Sequence, residues 1–330
     1  MNFSAKGRTR IEVMQVLEKS MSEFLSKYLK PIEENWQPSD YLPDSTSDHF
    51  MEEMREIQGQ CKEMSHDLFA VLIGDTITEE ALPTYESWLM GLEGLDQYNH
   101  SGWTKWVRAW TAEENRHGDV LNKYLYLSGR VNMREMEVTT QHLINDGFDI
   151  QTGGDPYRNF VYTSFQEMAT NVSHRRVATQ AKQSGNHLLA KMCGVIASDE
   201  ARHARAYMEF IRRIFELDPS EMMLAFGDMM KKKIVMPAHF MRETGGSIGS
   251  LFGYFSDAAQ RAKVYTTEDY IDILSMLIKE WDIANIKSLN DSAEKTRDYL
   301  MKLPDRLIRI AERSIIPEKQ YEFKWLNYNL

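Results

Sequence analysis

Apolar residues recur along this chain at three- and four-residue intervals, and strict alternation is scarce. That spacing lays one apolar stripe along a helix. Four stretches carry it far enough to cross a bundle: 69–92, 103–129, 156–182 and 186–217. The second is stopped by Gly129; the third opens with Asp155 as N-cap and Pro156 in its first turn. Helix-breaking residues cluster at 36–44, 145–156, 242–253 and 302–306 and read as breaks between helices. None of these is long or biased enough to be a flexible linker. The pattern therefore predicts an all-α chain, with residues 1–330 forming one domain.

Composition narrows function more than fold. With 42% hydrophobic and 27% charged residues the chain is globular. A net charge of −10 and no long basic run argue against nucleic acid as a partner. The two cysteines, Cys61 and Cys193, form no C-x-x-C and offer no disulfide framework. No apolar run approaches the roughly 18 residues of a membrane span. The opening residues read as an arm followed by a helix rather than a secretory leader, so the expected setting is cytoplasmic.

Candidate chemistry lies within the helical stretches. "TAEENRHGDV" (111–120) contains Glu114 and His117, and "SDEARHARAY" (198–207) contains Glu200 and His203, both in the form acid–Glu–x–Arg–His. A Glu three residues ahead of a His is weak evidence alone, and "KEMSH" carries a third such pair, Glu63 and His66. Two features separate the first two pairs from the third. Glu114 falls on a stripe with Trp103, Trp106, Trp110 and Leu121, and Glu200 on one with Leu189, Cys193, Ile196, Tyr207 and Phe210. A carboxylate buried there is costly without a compensating cation. Each pair also has an upstream glutamate on its own apolar stripe. Glu79 precedes Glu114 by 35 residues and Glu167 precedes Glu200 by 33, whereas no acid stands at that distance before Glu63.

Helix–Glu followed by helix–Glu-x-x-His, twice, is the ligand pattern of di-iron and di-manganese bundles. Four carboxylates and two neutral imidazoles carry −4, which two divalent cations cancel. Oxygen-rich ligation with two imidazoles favours iron or manganese over zinc. Spacing alone leaves open iron storage, iron oxidation, radical generation and dioxygen activation. Another ferritin-like di-iron oxygenase or oxidase and a non-catalytic iron-binding protein both remain as readings.

Longer blocks go further. "ENWQPSDYLPD", "GDTITEEALPTY", "RAWTAEENRHGDVLNKYLYLSGRV", "YTSFQE" and "DMMKKKIVMPAHFM" closely resemble the soluble acyl-[acyl-carrier-protein] desaturases, over about residues 30–275. The resemblance implies a ferritin-like four-helix core with additional helices around it, usually as a homodimer. It implies two irons per chain, with Glu114 and Glu200 bridging, Glu79 and His117 completing one iron, and Glu167 and His203 the other. Reduced ferredoxin and O2 would be cosubstrates, and a saturated chain on acyl carrier protein would gain a cis double bond, at Δ9. By the same resemblance Thr170 lies beside the oxygen site, and Asp199 and Trp36 form a path behind His117. Trp88 and Gly91 fall near the buried end of the acyl channel. An acidic carrier needs a basic patch, for which Lys231, Lys232 and Lys233 are the candidates, with Arg175, Arg176, Arg306, Arg309 and Arg313. Glu113 is expected to turn away from the metals.

Overall fold

The computed structural model describes residues 9–98, 100–313 and 315–327. The expected arm at residues 1–8 lies outside them. The helices in chain order are α1 (Arg10–Glu18), α2 (Met21–Tyr28), α3 (Phe50–Lys62), α4 (His66–Glu79), α5 (Leu82–Met90), α6 (Gly102–Ser128) and α7 (Met133–Asp146). They continue with α8 (Pro156–Gln183), α9 (His187–Leu217), α10 (Pro219–Lys232), α11 (Phe252–Arg261), α12 (Thr267–Glu280) and α13 (Asp291–Ala311). Among the described residues the one strand-like pairing is an isolated bridge between Val131 and Leu326. No helix there is long and apolar enough to cross a membrane.

Helices α4, α6, α8 and α9 form the ferritin-like core, and the others wrap it. Their ends follow from local chemistry. Ser101 caps α6 by accepting from the Thr104 N–H, and Gly129 ends it in the left-handed conformation that costs glycine least. Asp155 accepts from the N–H groups of Tyr157 and Arg158 at the start of α8. A tight turn through Gly185 then sends the chain back along α9.

Two expectations are corrected. The stretch 69–92 is not one helix: it divides after Glu79, because Pro83 has no N–H to continue the ladder, and α5 starts afresh with that proline in its first turn. The break expected at 302–306 is absent. Pro304 sits inside α13, whose buried side chains Leu300 and Leu303 hold the helix through the missing hydrogen bond.

The core is heavily aromatic. Trp103, Trp106 and Trp110 run along α6 and are nearly inaccessible, and they meet Phe160, Tyr207 and Phe210 from α8 and α9. The close approach of α4 to α6 is set by Gly118, where a Cβ would lie 3.2 Å from the backbone nitrogen of Glu80 and 3.3 Å from the carbonyl carbon of Glu79. That glycine follows His117 directly, so the same turn of α6 presents an imidazole and admits the end of α4.

Candidate metal centre

Six side chains from the four core helices converge: Glu79 of α4, Glu114 and His117 of α6, Glu167 of α8, and Glu200 and His203 of α9. Their potential ligand atoms fall into two groups, each within 4.8 Å: Glu79, Glu114, His117 and Glu200, and Glu114, Glu167 and His203. Glu114 is the member shared by both. Glu200 falls in the first group, and its Oε1 is one of the buried atoms turned toward the centre of the ring.

The carboxylates share a pattern. One oxygen of each outer carboxylate is tied to a neighbour, and the other turns inward. His174 Nε2 lies 3.0 Å from Glu79 Oε1, Trp110 donates its Nε1–H to Glu167 Oε1 at 2.9 Å, and Thr170 donates to Glu200 Oε2. The inward atoms Glu167 Oε2, Glu200 Oε1 and Glu114 Oε1, with Nδ1 of both His117 and His203, are buried without a hydrogen-bond partner of good geometry. A ring of orphaned acceptors of this kind is the cradle of a cation. Both imidazoles point Nδ1 at it: His117 Nδ1 is 3.2 Å from Glu114 Oε2 and from Glu200 Oε1, and His203 Nδ1 is 3.6 Å from Glu167 Oε2. Four carboxylates, two imidazoles and the orphaned atoms fit two divalent cations.

Without metal, charge inside the ring is shared among protons. Burial alone would raise Glu114, but His117 and His203 hold it down to about 2. Burial, then the charges of Glu114 and Glu200, push Glu167 well above the usual carboxylate range. Burial works against charge on His117 and His203, yet Glu114 outweighs it and holds both well above the ordinary imidazole value. These are the signs expected where cations belong and protons stand in for them.

Behind the ring the two motifs cross over. His203 Nε2 lies 2.8 Å from Glu113 Oε2, and His117 Nε2 lies 3.5 Å from Asp199 Oδ2. Each acid therefore faces the imidazole of the other copy of acid–Glu–x–Arg–His. The arginines close the network: Arg116 donates to Asp199 at 2.9 Å, and Arg202 reaches both Asp199 at 2.6 Å and Glu113 at 2.7 Å. Glu113 does turn from the ring, but to orient His203, a role that spacing on its own helix does not disclose. The repeated motif was the signal, since whatever Asp199 does for one imidazole its counterpart can do for the other. Trp36 joins on one side only. It donates Nε1–H to Asp199 Oδ2 at 2.9 Å, stacks on His117 with ring centres 6.0 Å apart and planes 9° off parallel, and is half-buried.

A model of the fatty acid desaturase family matches residues 9–327. A stearoyl-[acyl-carrier-protein] 9-desaturase of Spinacia oleracea is 50% identical over 96% of this chain and 80% of its own length. The chain belongs to the acyl-[acyl-carrier-protein] desaturase family. The Ricinus communis stearoyl-[acyl-carrier-protein] 9-desaturase is likewise 50% identical, covering 92% of this chain and 77% of its own. A palmitoyl-[acyl-carrier-protein] 4-desaturase of Ophrys sphegodes is 48% identical over the same shares, 92% and 77%. Among solved structures, DesA2 of Mycobacterium tuberculosis H37Rv, assigned as an acyl-ACP desaturase, shares the fold with a TM-score of 0.56 at 17% identity, over 86% of this chain and 99% of that one.

In this desaturase-family chain a cavity of about 710 Å³ reaches the ring. Glu79, Glu114 and Thr170 lie on its wall, Val71, Leu82, Tyr85, Phe165 and Phe255 supply apolar surface, and the exposed Lys231, Lys232 and Lys233 also line it. Thr170 back-bonds to the carbonyls of Gln166 and Glu167 at 3.1 and 3.0 Å and also meets Glu200, so its hydroxyl serves helix and site together. Trp88 and Gly91 do not line the cavity. Trp88 packs behind Tyr85 against Phe148, and Gly91 is exposed where α5 ends. Of the basic candidates, Arg176 is held by Asp269 at 2.5 Å and Lys232 by Asp228 at 3.1 Å, while Arg175, Arg306, Arg309 and Arg313 are exposed.

Proposed function

We propose that the chain is an O2- and ferredoxin-dependent acyl-[acyl-carrier-protein] desaturase that places a cis double bond, at Δ9, in a saturated acyl chain. The observation that carries this reading is the cavity: one apolar space joins the Glu79–Glu114 side of the ring to three lysines. Residues Glu79, Glu114, His117, Glu167, Glu200 and His203 would hold two irons. Bound iron would supply the electrons that activate O2, and O2 is the oxidant that removes hydrogen from an unactivated C–H bond.

The chain's own residues position and exclude. Val71, Leu82, Tyr85, Phe165 and Phe255 seat the acyl group and keep water from it. Lys231 and Lys233, with Arg306, Arg309 and Arg313, meet the acidic carrier at the opening. Trp36, Asp199 and His117 give electrons a route from the half-buried Trp36 to the ring on a side where Trp36 does not line the cavity. Relatives acting at the 9 and at the 4 position are equally similar, so bond position rests on where the chain stops in the cavity rather than on overall identity.

Incubation with ferredoxin, its reductase, NADPH, O2 and a panel of saturated acyl carrier proteins, followed by mapping of double bonds by mass spectrometry, tests the reading. A cis-Δ9 product supports it, and no unsaturated product across the panel overturns it. Uptake of many irons per chain would favour iron storage instead. Light scattering tests the homodimer, and a single cooperative unfolding transition tests the single domain.

A further inference from the structure

The two ends of the ring differ in what lies behind them. Glu167 is backed by Trp110 and Tyr207, both inaccessible. Behind Glu79 lies a polar group: His174 and Ser173 of α8, Asp75 of α4, and Cys193 of α9. Asp75 is one turn ahead of Glu79 and lines the cavity, as Ser173 does. Ser173 donates to Asp75 Oδ2 at 2.7 Å, and among the described residues no lysine or arginine pairs with Asp75. The titratable groups whose charge is coupled to it are His174 on α8 and Cys193 on α9.

An acid on the wall of an apolar cavity, met by the Ser173 hydroxyl and by the charge of His174 but by no lysine or arginine, is a poor way to seat a hydrocarbon chain. Ionised, it would be costly beside methylenes; protonated, it is tolerated and carries a transferable hydrogen. Burial raises its pKa against the opposing charge of His174 and the Ser173 hydrogen bond. Thr170 lies three residues, about one turn, before Ser173 on α8 and lines the same cavity.

Resting on the desaturase reading, we propose that Asp75, held by Ser173, is the proton donor to the oxygen reduced at the ring. Desaturation takes two hydrogens from adjacent carbons. One O2 also takes two electrons from the ferredoxin-class donor and two protons from the medium, so the products are one alkene and two waters. With the acyl chain filling the cavity, those two protons need a carrier inside it. The O–H bond of Asp75 breaks and an O–H bond forms on the reduced oxygen, through a water or the Thr170 hydroxyl. The carboxylate left on Asp75 is reprotonated from solvent before the second transfer.

The test compares Asp75→Asn, Asp75→Glu and Ser173→Ala in the full chain. Infrared difference spectroscopy of the metal-free protein at neutral pH, wild type minus Asp75→Asn, should show a protonated-carboxyl band of Asp75 separate from that of Glu167, whether or not the protein is a desaturase. In the iron-loaded enzyme, Asp75→Asn should keep its iron and KM, lose about a hundredfold in kcat, and divert consumed O2 to hydrogen peroxide. Its solvent deuterium isotope effect should change. Asp75→Glu should recover part of the rate, and Ser173→Ala should lose less than Asp75→Asn. The inference is overturned if Asp75→Asn turns over with wild-type kcat, coupling and isotope effect, if it fails to hold iron, or if the band is absent from the wild type. Failure of the wild type to desaturate any acyl carrier protein, with the band present, would instead sink the reading of the site as a desaturase.

Discussion

The Glu79 and Glu167 halves of the ring are near-copies in sequence and unlike in surroundings. Each has a lone glutamate on one helix, a Glu-x-x-His on the next, and an acid from the opposite motif behind its histidine. Yet Glu79 is met by His174 and opens on the cavity, while Glu167 is met by the indole of Trp110 and does not line it. The repeat provides two equivalent metal positions. Its environment opens one half directly on the cavity and sets Trp110, itself on the cavity wall, against the glutamate of the other.

The strongest break in this comparison is at Glu114, the residue common to both halves. Glu114→Ala should abolish iron binding and activity together, read by metal analysis and product formation, because two positive centres lose their shared counter-charge. The control is Glu63→Ala. Glu63 ends α3 and is exposed, and its partner by spacing, His66, starts α4 and faces Asp67, so iron content should be unchanged.

Next come the crossed acids. Glu113→Gln should weaken iron binding at the Glu167 half and Asp199→Asn at the Glu79 half, each by about 10- to 100-fold, as removal of an acid behind a ligating histidine commonly does. Competition with a chelator measures both. Equal losses support the crossover, and a loss for Asp199→Asn alone would break it. Asp199 additionally holds Trp36, so its variant should also slow reduction by ferredoxin.

Gly118→Ala sharpens the comparison further, because only α4 is displaced. Its Cβ would crowd Glu80 and Glu79, leaving Glu167 untouched. A chain with its iron at the Glu79 half bound several-fold more weakly is expected, seen as two unequal steps in an iron titration. The smallest effect is Trp110→Phe. It leaves Glu167 Oε1 without its donor and should cost about 1–3 kcal/mol of stability in the metal-free protein, measured by denaturant unfolding. Iron occupancy should change little, since bound metal takes over part of the compensation.

Legibility differed by residue. The ring was legible because its constraints are periodic: a carboxylate inside an apolar stripe, repeated with an upstream partner, shows in one dimension. Asp199 and Trp36 needed the family resemblance, since 163 residues separate a pair that touches. His174 and Asp75 were not singled out, and Trp110 was read only as part of an apolar stripe. Each sits on a helix already accounted for, and its importance lies in the face of another helix that it meets. Gly91 was misplaced because matching positions along the chain does not reveal that α5 ends there and turns the glycine outward.

By itself, then, the sequence determined the all-α character and the six residues of the ring, because helical period and burial cost act along the chain, though not the break after Glu79 or the continuity of α13 through Pro304. Tertiary structure decided which histidine each acid orients and which half faces the cavity. Those depend on how α4, α6, α8 and α9 are rotated against one another, and close approach at Gly118 and packing around the tryptophans set that rotation, not spacing.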